Sequence, residues 1–263
     1  MIVLTLTRRY WVIIVFVCFF LEAKAQNNRI ANHNTIGWYN LFTTAPLHKK
    51  WSLHGEFQMR RADGWEKGQQ NLLRTGINYQ HSPQTLFRVG YAYIDTYPYG
   101  EIPLNGMGKP FAEHRLFEMI QYTMQSKQLA WVHRWMLEQR WVGRYSQPQL
   151  QQEDQFPLLN RLRYQVRLQK NWNDRKDSEK STYLAVYDEI MIGFGKNVGE
   201  NIFDQNRLGL LFGRKFSNKW RLEAGFLSQI LQLGREVNGS NVFQYNNGWV
   251  INLISDFRKP KKE

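Results

Sequence analysis

Cysteine is nearly missing from this chain: the single one in 263 residues is Cys18, inside an apolar run close to the start. If that run is a leader, the rest of the chain has no thiol, which excludes disulfides, thiolate nucleophiles and cysteine-based zinc sites. Long hydrophobic runs are missing too. After residue 25 nothing approaches the roughly 18 consecutive apolar residues of a spanning helix, so a mature chain that crosses a membrane must do so with strands. Helical periods, low-complexity tracts and linkers are also lacking, which at this length favours one large β domain. No cofactor or metal motif stands out, and neither group is expected. Acidic charge is scarce: 22 Asp and Glu stand against 35 Lys and Arg, a formal net charge of +13.

What is present begins with the leader. Arg8 and Arg9 precede an apolar stretch from Tyr10 to Leu21, and Ala23 and Ala25 form an A-x-A arrangement. This pattern predicts a signal peptide over 1–25, cleaved after Ala25, with the mature domain over 26–263. The leader carries Arg8, Arg9 and Lys24 against Glu22, a net +2, so the mature chain keeps +11. Export makes nucleic acid an improbable partner for that charge, and no nucleic-acid motif accompanies it. Outer-membrane lipid, phosphorylated glycolipid and small anionic solutes are the partners its chemistry fits.

From Asn160 to Lys170 the chain alternates strictly: Arg161, Arg163, Gln165, Arg167 and Gln169 on one parity, Leu162, Tyr164, Val166 and Leu168 on the other. A period of two is a strand with one cationic and one apolar face. That stretch belongs to a candidate strand over 157–171, and comparable segments are 35–45, 51–61, 70–81, 86–97, 113–125, 128–142, 182–195, 203–216, 220–233 and 244–257. Most reach the nine to eleven residues of a tilted membrane strand. Short connections at 46–50, 82–85, 126–127 and 217–219 alternate with longer ones at 62–69, 98–112, 143–156 and 234–243, as in outer-membrane barrels; 172–181 breaks the rule. The expected fold is all-β: a single antiparallel transmembrane β-barrel of about 12 strands (10 to 12). An even count needs one strand more than these eleven, placed in 26–34, or one strand fewer.

The two faces then take definite residues. Inward parity collects Glu56, Arg60, Arg74, Arg88, Arg134, Glu138, Arg140, Arg161, Arg163, Arg167, Glu189, Arg207, Arg221 and Glu223. Outward, toward lipid, fall Leu53, Phe57, Val89, Tyr91, Trp135, Leu137, Tyr164, Val166, Leu210, Phe226, Ile251 and Leu253. Trp51, Tyr79, Tyr122 and Trp220 near short turns, with Tyr93 and Trp141 toward long loops, form two aromatic girdles. Glu118 and one of Asp188 and Glu189 fall on the outward parity and resist the scheme, while Asp204 and Arg214 sit at strand ends where headgroups would receive them. A soluble periplasmic sandwich is the competing architecture, with the apolar parity as a dry core.

Several short patterns recur in order along the mature chain: Lys50-Trp51 with Glu56 and Arg60, Leu73-Arg74-x-Gly76-x-x-Tyr79, Glu113-x-Arg115, Leu137-Glu138-Gln139-Arg140, Arg161-x-Arg163-Tyr164, Tyr187-Asp188-Glu189 and Phe203-Asp204-Gln205-Asn206-Arg207. In these the chain resembles the uncharacterised bacterial family called domain of unknown function 2490, whose members look like exported outer-membrane barrels. The resemblance implies fold and location and supplies no activity. Asn246, Gly248, Ile251 and Leu253 on the last strand resemble the C-terminal signal read by the barrel-assembly machinery.

Two roles compete for the inward arginines. Paired across strands with carboxylates they brace a narrow barrel, and as a surplus of fixed cations they attract anions to a narrow pore. A third class, a lipid hydrolase, needs Ser, His and an orienter together; Ser52 and His54 share a face but sit in no elbow motif. Lys109, Arg144, Lys196 and Arg235 fall in expected outer loops, where phosphate groups of a glycolipid could meet them.

Overall fold

Eleven strands form: β1 (Arg29–His48), β2 (Trp51–Ala62), β3 (Lys67–Gln80), β4 (Thr85–Thr96), β5 (Phe111–Ser126), β6 (Leu129–Val142), β7 (Leu158–Asn171), β8 (Ser181–Phe194), β9 (Phe203–Lys215), β10 (Trp220–Val237) and β11 (Ser240–Asp256). The structure is a computed structural model describing residues 29–172, 180–199 and 201–258; the expected leader lies outside these residues. Each strand hydrogen-bonds to the next, and β1 closes on β11, so the sheet is a closed barrel.

The count falls within the expected ten to twelve, but it is odd, and the antiparallel pattern gives way at one seam. With eleven strands the first and last run the same way, and β1 pairs with β11 in parallel from Arg29↔Asn241 to Thr44↔Asp256. Residues 29–34 add no twelfth strand; they lengthen β1. Alternation explains the wall itself, because one face of each strand is buried in the lumen and any one-residue slip would reverse both faces.

The connections sort the barrel into two ends. Residues 49–50, 81–84, 127–128 and 216–219 join strands at what we term the turn end. The long connections 97–110 and 143–157 lie at the loop end, with 63–66 and 195–202. The expected loop over 234–243 is not there: β10 and β11 continue to a two-residue turn, Asn238-Gly239, both with positive φ (51° and 70°), the hairpin geometry that Asn-Gly favours. The irregular connection near 172–181 falls largely at 173–179, outside the described residues.

A bulge re-aims one acid. Met191 pairs with Gln205 and Ile192 with Phe203, so Asp204 is an extra residue on β9. Its carboxylate turns into the lumen, not to the strand-end surface expected from parity.

Candidate functional site

The lumen is crossed by one ion-pair network. Register builds it, because Glu56 and Arg74 are cross-strand partners on β2 and β3, Glu138 and Arg161 on β6 and β7, and Glu189 and Arg207 on β8 and β9. Glu138 is the centre, with no solvent exposure. Arg161 Nη2 donates to its Oε2 at 2.5 Å and Arg163 Nη1 to its Oε1 at 2.8 Å, while Arg74 and Arg115 approach to 3.7 and 3.8 Å. Arg163 and Arg134 donate to Glu189 at 2.8 and 2.9 Å. Arg140 and Arg115 both grip Glu113, and Arg140 and Arg161 reach Asp204.

These side chains point inward yet are buried, Arg161 at 1% exposure and Glu189 at 2%. A water-filled channel at this level would leave them wet. The network is therefore a septum, with a chamber of about 420 Å³ toward the loop end and one of about 490 Å³ toward the turn end. Arg207 lines both. Arg88 lies in the turn-end chamber, bonded to Asn78 at 2.6 Å; Arg167 spans that chamber to Glu223 at 2.6 Å, and Arg221 sits exposed at its mouth.

Opposite the ionic wall, β10, β11 and β1 carry amides instead. Asn34 and Asn246 are partners in the parallel register and hydrogen-bond at 2.8 Å, as do Asn40 and Asn252. The 97–110 connection folds down onto this seam: Tyr99 is buried and donates to Gln244 at 2.7 Å, and Gln244 donates to the Ile102 carbonyl at 2.8 Å. Gly100 takes φ +70° against Asn32 and Asn34, where a Cβ would collide with Asn34. Trp38 on β1 lies between the two chemistries, with its indole N–H on Gln69 at 2.8 Å and the guanidiniums of Arg60 and Arg207 over its ring at 3.9 and 4.9 Å.

Sequence reasoning placed the ionic side chains on one face but missed Glu113, Arg115 and Asp204, and it missed the amide seam and Trp38 altogether. The motif Glu113-x-Arg115 carried the signal, since its parity opposes Leu116 and Ile120. Asp204 could not be found by parity, because a bulge changes it. Of the adjacent acids on β8, Glu189 turns inward and Asp188 outward, where Asn206 donates to it at 2.8 Å. Glu118 points outward and accepts from Gln139 at 3.3 Å.

The outer surface carries exposed Leu53, Phe57, Val89, Tyr91, Trp135, Leu210, Phe226, Ile251 and Leu253. Leu137, Tyr164 and Val166 are half-buried among outward neighbours, with Tyr164 against Trp135 and His133. Trp51 packs on Tyr79 at the turn end, and Trp220 meets Phe257 edge-on. Tyr122 is exposed at that same end, and Tyr93 and Trp141 lie toward the loop end.

Of the four basic residues expected in outer loops, Lys109 is committed to the carbonyls of Pro148 and Leu150 at 2.5 Å. Arg235 belongs to β10, not to a loop, and donates to the Pro103 carbonyl at 3.0 Å. Arg144 and Lys196 are exposed. Ser52 accepts from Asn78 and His54 meets Glu56, so these two residues share a face without sharing a hydrogen bond. Among the described residues no group of three or more His, Asp or Glu is placed to hold a metal ion.

No curated protein and no solved structure matches this chain. A family profile does, over residues 35–239, from β1 through the β10–β11 turn and so across every strand that contributes to the septum. The chain belongs to the family described as protein of unknown function (DUF2490).

Proposed function

We propose that the mature chain is an outer-membrane β-barrel whose lumen is braced shut, a structural and recognition barrel, neither an open channel nor a hydrolase. One observation carries the location: the wall is inside out. Charged side chains fill the centre while large apolar ones such as Leu73, at 62% exposure, and Val89, at 57%, cover the outside. In water so wide an apolar belt would drive aggregation, and in a bilayer it is the required outer face. The septum supports the closed state, because its carboxylates Glu113, Glu138, Glu189 and Asp204 are each held by at least two guanidiniums. With the long connections outside, the loop-end chamber faces the cell surface, and exposed Arg144 and Lys196 at that end suit phosphorylated glycolipid.

Fractionation tests this directly. The protein should sediment with outer membrane, resist carbonate extraction and migrate faster unboiled than boiled on a gel. Recovery as a detergent-free periplasmic monomer would reverse the reading of the outer face. In planar bilayers the folded protein should be silent, and a steady anion-selective conductance would replace the braced barrel by the narrow pore.

A further inference from the structure

The loop-end chamber is lined by seven arginines and two carboxylates, whereas the turn-end chamber has eight and four. Most of these guanidiniums are already neutralised. Among the described residues of the septum Arg60 is the exception, and Arg207 is loosely paired. Arg60 is 5% exposed and donates to the neutral amides of Gln58 and Gln70; Arg207 is 8% exposed and donates to Gln205, with Glu189 no nearer than 3.6 Å. Both lie over the Trp38 ring, which fixes them without neutralising them. Two residues that also line this chamber, Arg235 and Asn201, have buried polar atoms, Nε and Oδ1, without a hydrogen-bond partner among the described residues. The wall also has apolar side chains, Leu104 and Met107 of the 97–110 connection, Phe111 and Leu231, beside the amides of Gln70, Gln229 and Gln232.

We propose that this chamber binds a small organic acid, with an oxyanion group on the Arg60–Arg207 floor and an aromatic or short aliphatic body against Met107 and Phe111. Guanidinium forks match carboxylate and phosphate geometry, and a buried cation without a counter-ion is costly until an anion arrives. The volume of about 420 Å³ is that of a small-molecule site, and its apolar half sets an organic acid apart from a bare inorganic ion. The turn-end chamber has twice as many carboxylates to compete for its guanidiniums, Glu56, Glu189, Glu223 and Asp256. The inference rests on the braced-barrel reading only in treating the chamber as a dead end: conductance would overturn that reading, and lack of binding would overturn this one.

The test is calorimetric titration of the folded mature chain in lipid nanodiscs with phenyl phosphate, inorganic phosphate and benzyl alcohol at constant ionic strength. Phenyl phosphate should bind at least about tenfold more tightly than either control, since each lacks one half of the recognition. Arg60→Gln should weaken it by about tenfold or more, the usual loss of a charged hydrogen bond. Met107→Trp, which fills the chamber from the loop without touching the septum, should do the same, and Arg88→Gln in the other chamber should change nothing. Absence of phenyl phosphate binding by heat-modifiable protein overturns the proposal, as does undiminished binding by Met107→Trp. That second variant decides the matter alone if Arg60→Gln does not fold.

Discussion

The ionic wall, from β2 to β9, and the amide seam of β10, β11 and β1 solve the same problem in different ways. Both must satisfy polar side chains inside a narrow barrel. On the wall each carboxylate serves several guanidiniums, as Glu138 serves Arg161 and Arg163 with Arg74 and Arg115 close by. At the seam, amides meet amides, Asn40 with Asn252, and Asn34 with Asn246, which also donates to Gln229. The register accounts for the difference. Where β1 and β11 run parallel, these asparagines face each other directly, and an amide can both give and accept, so like can pair with like. Arginines placed there would repel. The wall is thus a shared ionic network, and the seam a row of neutral amide latches that key the parallel register.

The largest effect should come from the wall. Glu138→Gln leaves Arg161 and Arg163 buried with one partner each removed, and should cost about 3–5 kcal/mol, the loss seen when one member of a buried ion pair is deleted. Urea unfolding of the protein in lipid vesicles measures it, with the loss of heat-modifiable migration as the endpoint. A loss under about 1 kcal/mol, the scale of an exposed pair, would mean that the septum is wet and that the two regions differ less than their geometry says.

The wall was far more legible in the sequence than the seam, for a physical reason. In Arg161, Arg163 and Arg167 against Leu162, Tyr164 and Val166, charge and apolarity alternate with the strand period, so the parity of each residue is visible. In Arg29–Asn34 it is not, because Ala31, His33 and Thr35 carry no lipid-like character opposite Asn32 and Asn34, and the strand expected over 35–45 stops short of them. Ile36 and Leu211 add confusion by putting apolar side chains inside the lumen. Tyr99 lies in the long connection expected over 98–112, and nothing local to it announces that it bonds to Gln244, 145 residues away.

A single latch should be worth less than the septum's centre. Asn40→Leu leaves Asn252 Oδ1 without its donor, and an unsatisfied buried acceptor costs about 1–3 kcal/mol. The same unfolding assay should rank this variant clearly below Glu138→Gln in damage. Equal losses would mean that the parallel seam is as cooperative as the ionic wall.

The smallest effect is the sharpest test of the comparison, and it comes from removing both partners. In Asn40→Leu/Asn252→Leu no amide is left waiting for the other, and the Asn40 Oδ1 already lacks a partner, so its loss removes an unsatisfied acceptor. Glu223 gives up its bond from Asn252 but keeps Arg167 at 2.6 Å and Tyr183 at 2.8 Å. Replacing both members of a buried polar pair by apolar groups is often close to neutral, so the double variant should recover most of the single variant's loss and fall within about 1 kcal/mol of wild type. The matching pair on the wall should behave otherwise. Glu138→Gln/Arg161→Met still strands Arg163, and takes from Asp204 its contact at 2.5 Å, so the second change cannot repair the first. A double-mutant cycle at each site reads this out as a coupling energy. Rescue at the seam with none on the wall establishes latches against network; rescue at both, or at neither, would erase the distinction.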